Sequence, residues 1–111
     1  MKLEEVARHL SLEVCAAAAR LGTEVTGGYV SDLLSYVMAR AKEGNLWVTV
    51  QSHPNIVAVA SLVNLAGIII TEGGRPDAGT VEKAEQEGVP ILTTQLTSYE
   101  VAGRLWELGV R

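Results

Sequence analysis

The chain has 111 residues, 48% hydrophobic and 20% charged, with a net charge of −4 and no Phe. That length suits a single domain over 1–111 with its own core, and the composition excludes a disordered chain. No segment concentrates Lys and Arg, so a nucleic-acid footprint is absent, and the acidity argues against binding an anionic membrane surface.

The longest apolar run, 56–70, is broken by Ser61, Asn64 and Gly67 and is too short to span a bilayer. Met1-Lys2-Leu3-Glu4-Glu5 carries acids where an export signal carries bases, so none is expected. A lone Cys15 cannot form an internal disulfide, which fits a reducing cytoplasm. In its apolar setting Cys15 reads as a buried small residue, and with only His9 and His53 available no metal or cluster site is expected.

In chain order, Leu3, Val6, Ala7 and Leu10 recur at helical spacing, which predicts an amphipathic helix over 2–10 with His9 on its polar face. A short strand follows over 12–16, then a turn or frayed helical piece at 17–22. Strand character returns at 24–26. Gly27-Gly28 interrupts it as a partner surface or a tight sheet–helix crossing, and Tyr29-Val30 resumes it. Ser31 is expected to cap a helix reaching Lys42, with Asp32 in its first turn and an apolar stripe of Leu33, Leu34, Val37, Met38 and Ala41; Gly44 ends it.

The second half repeats strand then helix. Strands are predicted over 46–50, 67–71 and 89–93, with helices over 55–65, 80–87 and 98–108. Thr80 and Thr97 or Ser98 act as caps and Gly88 and Gly109 as stops. Gly-Ile-Ile-Ile-Thr is apolar without alternation, as a central strand of a parallel sheet requires. Connections of this length imply right-handed crossovers, so the expected fold is α/β: an open, mainly parallel sheet with helices on both faces. Trp47 and Trp106 are expected in the core or at an interface. Glu82, Glu85 and Glu87 read as a solvated helix face.

Ligands of open parallel sheets bind outside the carboxyl ends of the strands. That rule selects the loops 51–55, 71–76 and 94–98. Their candidate ligand-binding residues are Ser52, His53, Asn55, Thr71, Gly73, Gly74, Arg75, Thr94 and Thr97. Helix N-termini and glycine backbone would receive an anion, Arg75 would pair with it and the hydroxyls would orient it. Two readings stay open for each: turns need glycine anyway, and Arg75 also has Glu72 or Asp77 to balance. His53 is either a loop residue at a helix start or a base needing an acid such as Glu72. No Walker lysine follows the glycines, and no dinucleotide fingerprint or nucleophile elbow is present.

These motifs carry a family resemblance. The loop Gln51-Ser52-His53-Pro54-Asn55 with Ile56-Val57-Ala58-Val59-Ala60, then Ile68 to Pro76, Ala84 to Pro90 and Thr93-Thr94 with Thr97-Ser98, resemble a DRTGG domain. The earlier part, with Leu12 to Val14 and Gly27 to Asp32, is similar to small stand-alone members. Two departures stand out. Ser52-His53 replaces the aspartate–arginine pair, and Glu72 separates Thr71 from Gly73-Gly74. The resemblance implies the fold shared with the N-terminal domain of HPr kinase/phosphorylase. It also implies a non-catalytic accessory role, like the DRTGG domains beside phosphotransacetylases and CBS-domain pyrophosphatases. The P-loop of the kinase part is absent, so kinase activity is not implied.

The resulting expectation is a regulatory module with no cofactor, a homodimer that senses a nucleotide or other small anion. The alternative is a docking domain for a larger enzyme, without a ligand of its own. A third reading is a small hydrolase or transferase using His53 and Glu72.

Overall fold

The computed structural model describes residues 1–111. Strands β2 (Gly27–Val30), β3 (Asn45–Thr49), β4 (Gly67–Ile70) and β5 (Ile91–Thr93) lie side by side in chain order and all parallel. Strand β1 (Glu13–Ala16) adds to the far edge, antiparallel to β5, giving the order β1-β5-β4-β3-β2. Helices α2 (Leu34–Arg40), α3 (Asn55–Val63) and α4 (Ala78–Glu87) form the crossovers, while α1 (Leu3–Leu10) and α5 (Ser98–Glu107) begin and end the elements.

The sheet steps in one direction from β2 to β5, and crossovers of one hand leave α2, α3 and α4 on one face. The packing follows: Trp47, Ile68, Ile70 and Ile91 meet Val37, Ile56, Val57 and Ala84 there. On the other face Leu46, Val48, Ile69 and Leu92 meet Leu3, Val6 and Leu10 of α1 and Val101 and Leu105 of α5. The all-apolar β4 is explained by this, since each Ile is fully buried and they alternate between the two cores. The result is the expected α/β fold with helices on both faces.

Several local expectations are corrected. Gly27 and Gly28 lie inside β2 rather than in a loop, paired with Asn45 and Leu46. Ser31 and Asp32 do not start α2. Ser31 Oγ accepts from Leu33 N, and Asp32 Oδ1 accepts from Thr49 Oγ1 and Val50 N at 2.8 and 3.0 Å. The helix is therefore shorter, Val37 alone is buried on it, and Leu33 and Met38 are exposed. Gly44 (φ +82) turns the chain into β3 rather than stopping α2.

Thr80 sits inside α4, fully buried, and donates to the Ser52 carbonyl at 2.6 Å; Asp77 holds the N-cap position. Glu85 is not merely solvated, because its carboxylate accepts from Ala17 N at 2.7 Å. Cys15 is half-buried. Trp47 is in the core with Nε1 donating to the Ser31 carbonyl, whereas Trp106 is exposed.

Candidate functional site

After β4 the chain turns to α4 on one face; after β5 it turns to α5 on the other. Diverging connections open a crevice at the strand ends, where ligands of such sheets bind. A cleft of about 380 Å³ lies there. Thr93 lines it from β5, Gly74 and Arg75 from the β4–α4 loop, and Thr94, Gln95 and Leu96 from the loop into α5. Arg104 of α5 and Leu10, Ser11 and Glu13 at the α1–β1 junction complete it. Its lining is polar apart from Leu10 and Leu96.

The two loops are tied to each other. Glu72 N donates to Leu96 O at 2.8 Å and Gly73 N to Thr94 O at 3.0 Å, while Gly74 N closes its own loop on Thr71 O at 3.0 Å. The glycine amides are thus engaged within the chain. Gly73 has φ +76, and a Cβ there would stand 2.7 Å from Gln95 Oε1, so this glycine is required by the turn. Beneath it the buried Thr71 hydroxyl meets Ser98 Oγ at 2.6 Å.

Glu72 adopts a left-handed conformation (φ 62), and its carboxylate accepts from Ser98 N at 3.4 Å. A carboxylate is favoured at a helix N-terminus, so Glu72 fills for α5 the position an anion would take. Thr97 caps the same helix in a reciprocal box with Glu100, whose carboxyl is held below its ordinary value by the Thr97 backbone N–H and then its hydroxyl.

Neither Glu72 nor Asp77 pairs with Arg75. Its guanidinium grips Glu13 with two bonds of 3.1 and 3.3 Å. Those bonds first, and the charge second, lower the Glu13 carboxyl from its ordinary value and raise Arg75. Both side chains are largely exposed, so the pair adds little stability. It orients Arg75 at the cleft, where Cys15 Sγ also lies 3.9 Å from Arg75 Nη2 and 3.6 Å from Thr93 Oγ1. Arg104 forms no ion pair and is the free cation of the cleft.

Of the residues the sequence singles out, Gly74, Arg75 and Thr94 come together on the cleft. Thr94 Oγ1 accepts from Leu96 N, and Thr71, Gly73 and Thr97 support the loops behind it. Ser52, His53 and Asn55 follow β3 and do not line it. Ser52 offers its carbonyl to Asp77 N and Thr80 Oγ1, and His53 Nδ1 accepts from Asn55 N at 3.1 Å, tying down the start of α3. His53 and Glu72 each hold a different backbone amide. No cluster of His, Cys, Asp and Glu is arranged to hold a metal.

Sequence reasoning missed Ser11, Glu13, Gln95 and Arg104. Glu13 is 62 residues from Arg75 along the chain and reaches it only because β1 pairs with β5. No local pattern carries that information.

The class defined so far is a three-layer α/β domain with a polar cleft at its switch point. The DRTGG domain family model matches residues 5–108, and the chain belongs to that family. It is 27% identical over 88 residues to a phosphate acetyltransferase of Acinetobacter baylyi, covering 72% of this chain and 12% of that protein. Its fold matches the crystal structure of the CBS and DRTGG domains of the regulatory region of Clostridium perfringens pyrophosphatase, complexed with activator, diadenosine tetraphosphate. The TM-score is 0.75 at 18% identity, over 94% of this chain and 45% of that one. The chain thus spans only a part of either relative. None of its helices is long and apolar enough to cross a membrane.

Proposed function

We propose that this domain is a non-catalytic regulatory module that takes a small anionic, phosphate-bearing ligand in the β4/β5 cleft and works in the cytoplasm as a homodimer. One observation carries the ligand reading: a polar cleft of about 380 Å³ is lined by both Arg75 and an unpaired Arg104. Two guanidiniums lining one cleft suit a phosphate, to which Arg104 is free to donate and Arg75 can donate on leaving Glu13. The volume is at the small end for ligand sites, which favours a phosphometabolite or a mononucleotide over a larger molecule. The activator-bound regulatory region of the pyrophosphatase supports the regulatory part of the reading.

The test is a thermal-shift screen of the purified protein against mononucleotides, diadenosine tetraphosphate and phosphometabolites. A ligand at a hundred times its Kd stabilises by about 2.7 kcal/mol, a readily visible rise in Tm. The expected result is a hit that Arg104→Ala and Arg75→Ala both weaken, with neither variant unfolded.

A second reading, a docking domain for a larger enzyme, draws on a specific observation. The loop amides are already bonded, Glu72 occupies the start of α5 and Glu13 holds Arg75. A flat screen on folded protein favours docking.

A further inference from the structure

Gly28 is a glycine that one copy of the chain does not need. It lies inside β2 and its φ is not positive. A Cβ there would meet only Leu46 O at 3.7 Å and Leu105 Cδ1 at 3.9 Å, ordinary contacts. Gly27 differs, since a Cβ there would press on Asn45 Nδ2 at 3.1 Å and the Arg111 carbonyl carbon at 3.4 Å. Glycine weakens a strand, and inside one it often marks a place where another backbone approaches closely.

Gly28 is on the open edge of the sheet. Ser31 N donates to Val48 O on β3 at 3.2 Å, and backbone groups alternate along a strand. The N–H and C=O of Gly28 and Val30 therefore point outward. This edge carries no Pro, no Lys and no bulge, the usual guards against pairing. Val30 on it and Trp106 beside it are exposed, and both line one hollow with Gly28.

We infer that two copies of the chain join along β2, antiparallel, about a two-fold axis at Tyr29. This names the surface of the homodimer proposed above and rests on that part of the reading. In this register Gly28 and Val30 of one copy exchange both backbone hydrogen bonds with Val30 and Gly28 of the other. Each Val30 then covers the space its opposite Gly28 leaves, beside an apolar hollow lined by Leu105 and Trp106.

Charge agrees with the antiparallel sense. Arg40, Lys42 and Arg111 line the Gly27 end of β2 together with Glu43, and Asp32 follows its other end. Antiparallel pairing brings the basic end of each copy to the acidic end of the other. The contact also closes, because the free edges of the joined sheet are then two copies of β1. Each of those carries a bulge between Val14 and Ala16.

The experiment is sedimentation equilibrium of the wild type, Val30→Lys, and the double variant Cys15→Ser with Tyr29→Cys. The wild type should be a dimer, and Val30→Lys a folded monomer by circular dichroism. The double variant should form an interchain disulfide on mild oxidation, because Cα atoms of such a facing pair lie about 4.5 Å apart. If Val30→Lys does not fold, the cross-link decides. A wild-type monomer at every concentration overturns both the homodimer and this surface. A dimer that survives Val30→Lys and leaves Tyr29→Cys unlinked overturns the surface alone. The ligand screen tests the cleft independently of either result.

Discussion

At the β1 edge of the sheet the strand is bulged, its first residue is a carboxylate bonded to Arg75, and the neighbouring strand ends open a polar cleft. At the β2 edge the strand is regular, begins with two glycines and carries the exposed Val30 beside the exposed Trp106. A bulge and charges discourage a further strand; a plain edge with apolar neighbours receives one. On the readings proposed above, ligand chemistry falls to one side of the sheet and a second copy of the chain to the other. Both rest on one scaffold, through β4 and its two cores.

Breaking the scaffold should affect both sides at once. Ile69→Ala at the fully buried centre of β4 should cost about 2–5 kcal/mol in urea denaturation, weakening the cleft and the edge together.

The two glycines sharpen the comparison. Gly73→Ala forces φ +76 on a side chain that faces Gln95 and should cost roughly 1–2 kcal/mol. Thr97→Ala removes the cap of α5 beside the cleft and should cost about 1 kcal/mol. Gly28→Ala should act in the opposite sense. Measured at low protein concentration, it should stabilise the single chain by roughly 0.5–1 kcal/mol. Equal losses at Gly73 and Gly28 would erase the distinction between the two ends.

The smallest effect concerns the Glu13–Arg75 pair. The carboxyls of Glu13 and Glu100 are lowered in the folded state, so their stabilising contribution is present above the ordinary value of 4.5. It is lost as pH falls through the lowered folded values. Glu13→Gln should leave stability at neutral pH nearly unchanged and flatten the acid limb of the stability–pH curve. An unaltered acid limb would mean that the pair is not formed in solution.

Much of this architecture is written in local pattern. Gly-Ile-Ile-Ile names a central strand, and the alternation of β3, α3, β4, α4, β5 and α5 follows from periodicity and turn residues. The boundaries that failed were decided by side chains reaching across the fold. Asp32 is drawn from a helix start to Thr49 and Val50 on β3, and Thr80 from a cap to the Ser52 carbonyl. The site was half legible for the same reason. Gly74, Arg75 and Thr94 lie in loops that the strand-end rule selects. Glu13 and Arg104 arrive through the β1–β5 pairing and the return of α5 across the opposite face, which no short stretch encodes.

The cleft itself is tested most directly by amide chemical-shift mapping on labelled protein titrated with AMP, ATP and diadenosine tetraphosphate. Saturable shifts at 74–75, 93–97 and 104, lost in Arg104→Ala, are the predicted result. Shifts confined to the β3–α3 loop around His53, or none with any of the three on folded protein, would contradict the assignment of an anion site to the β4/β5 crevice.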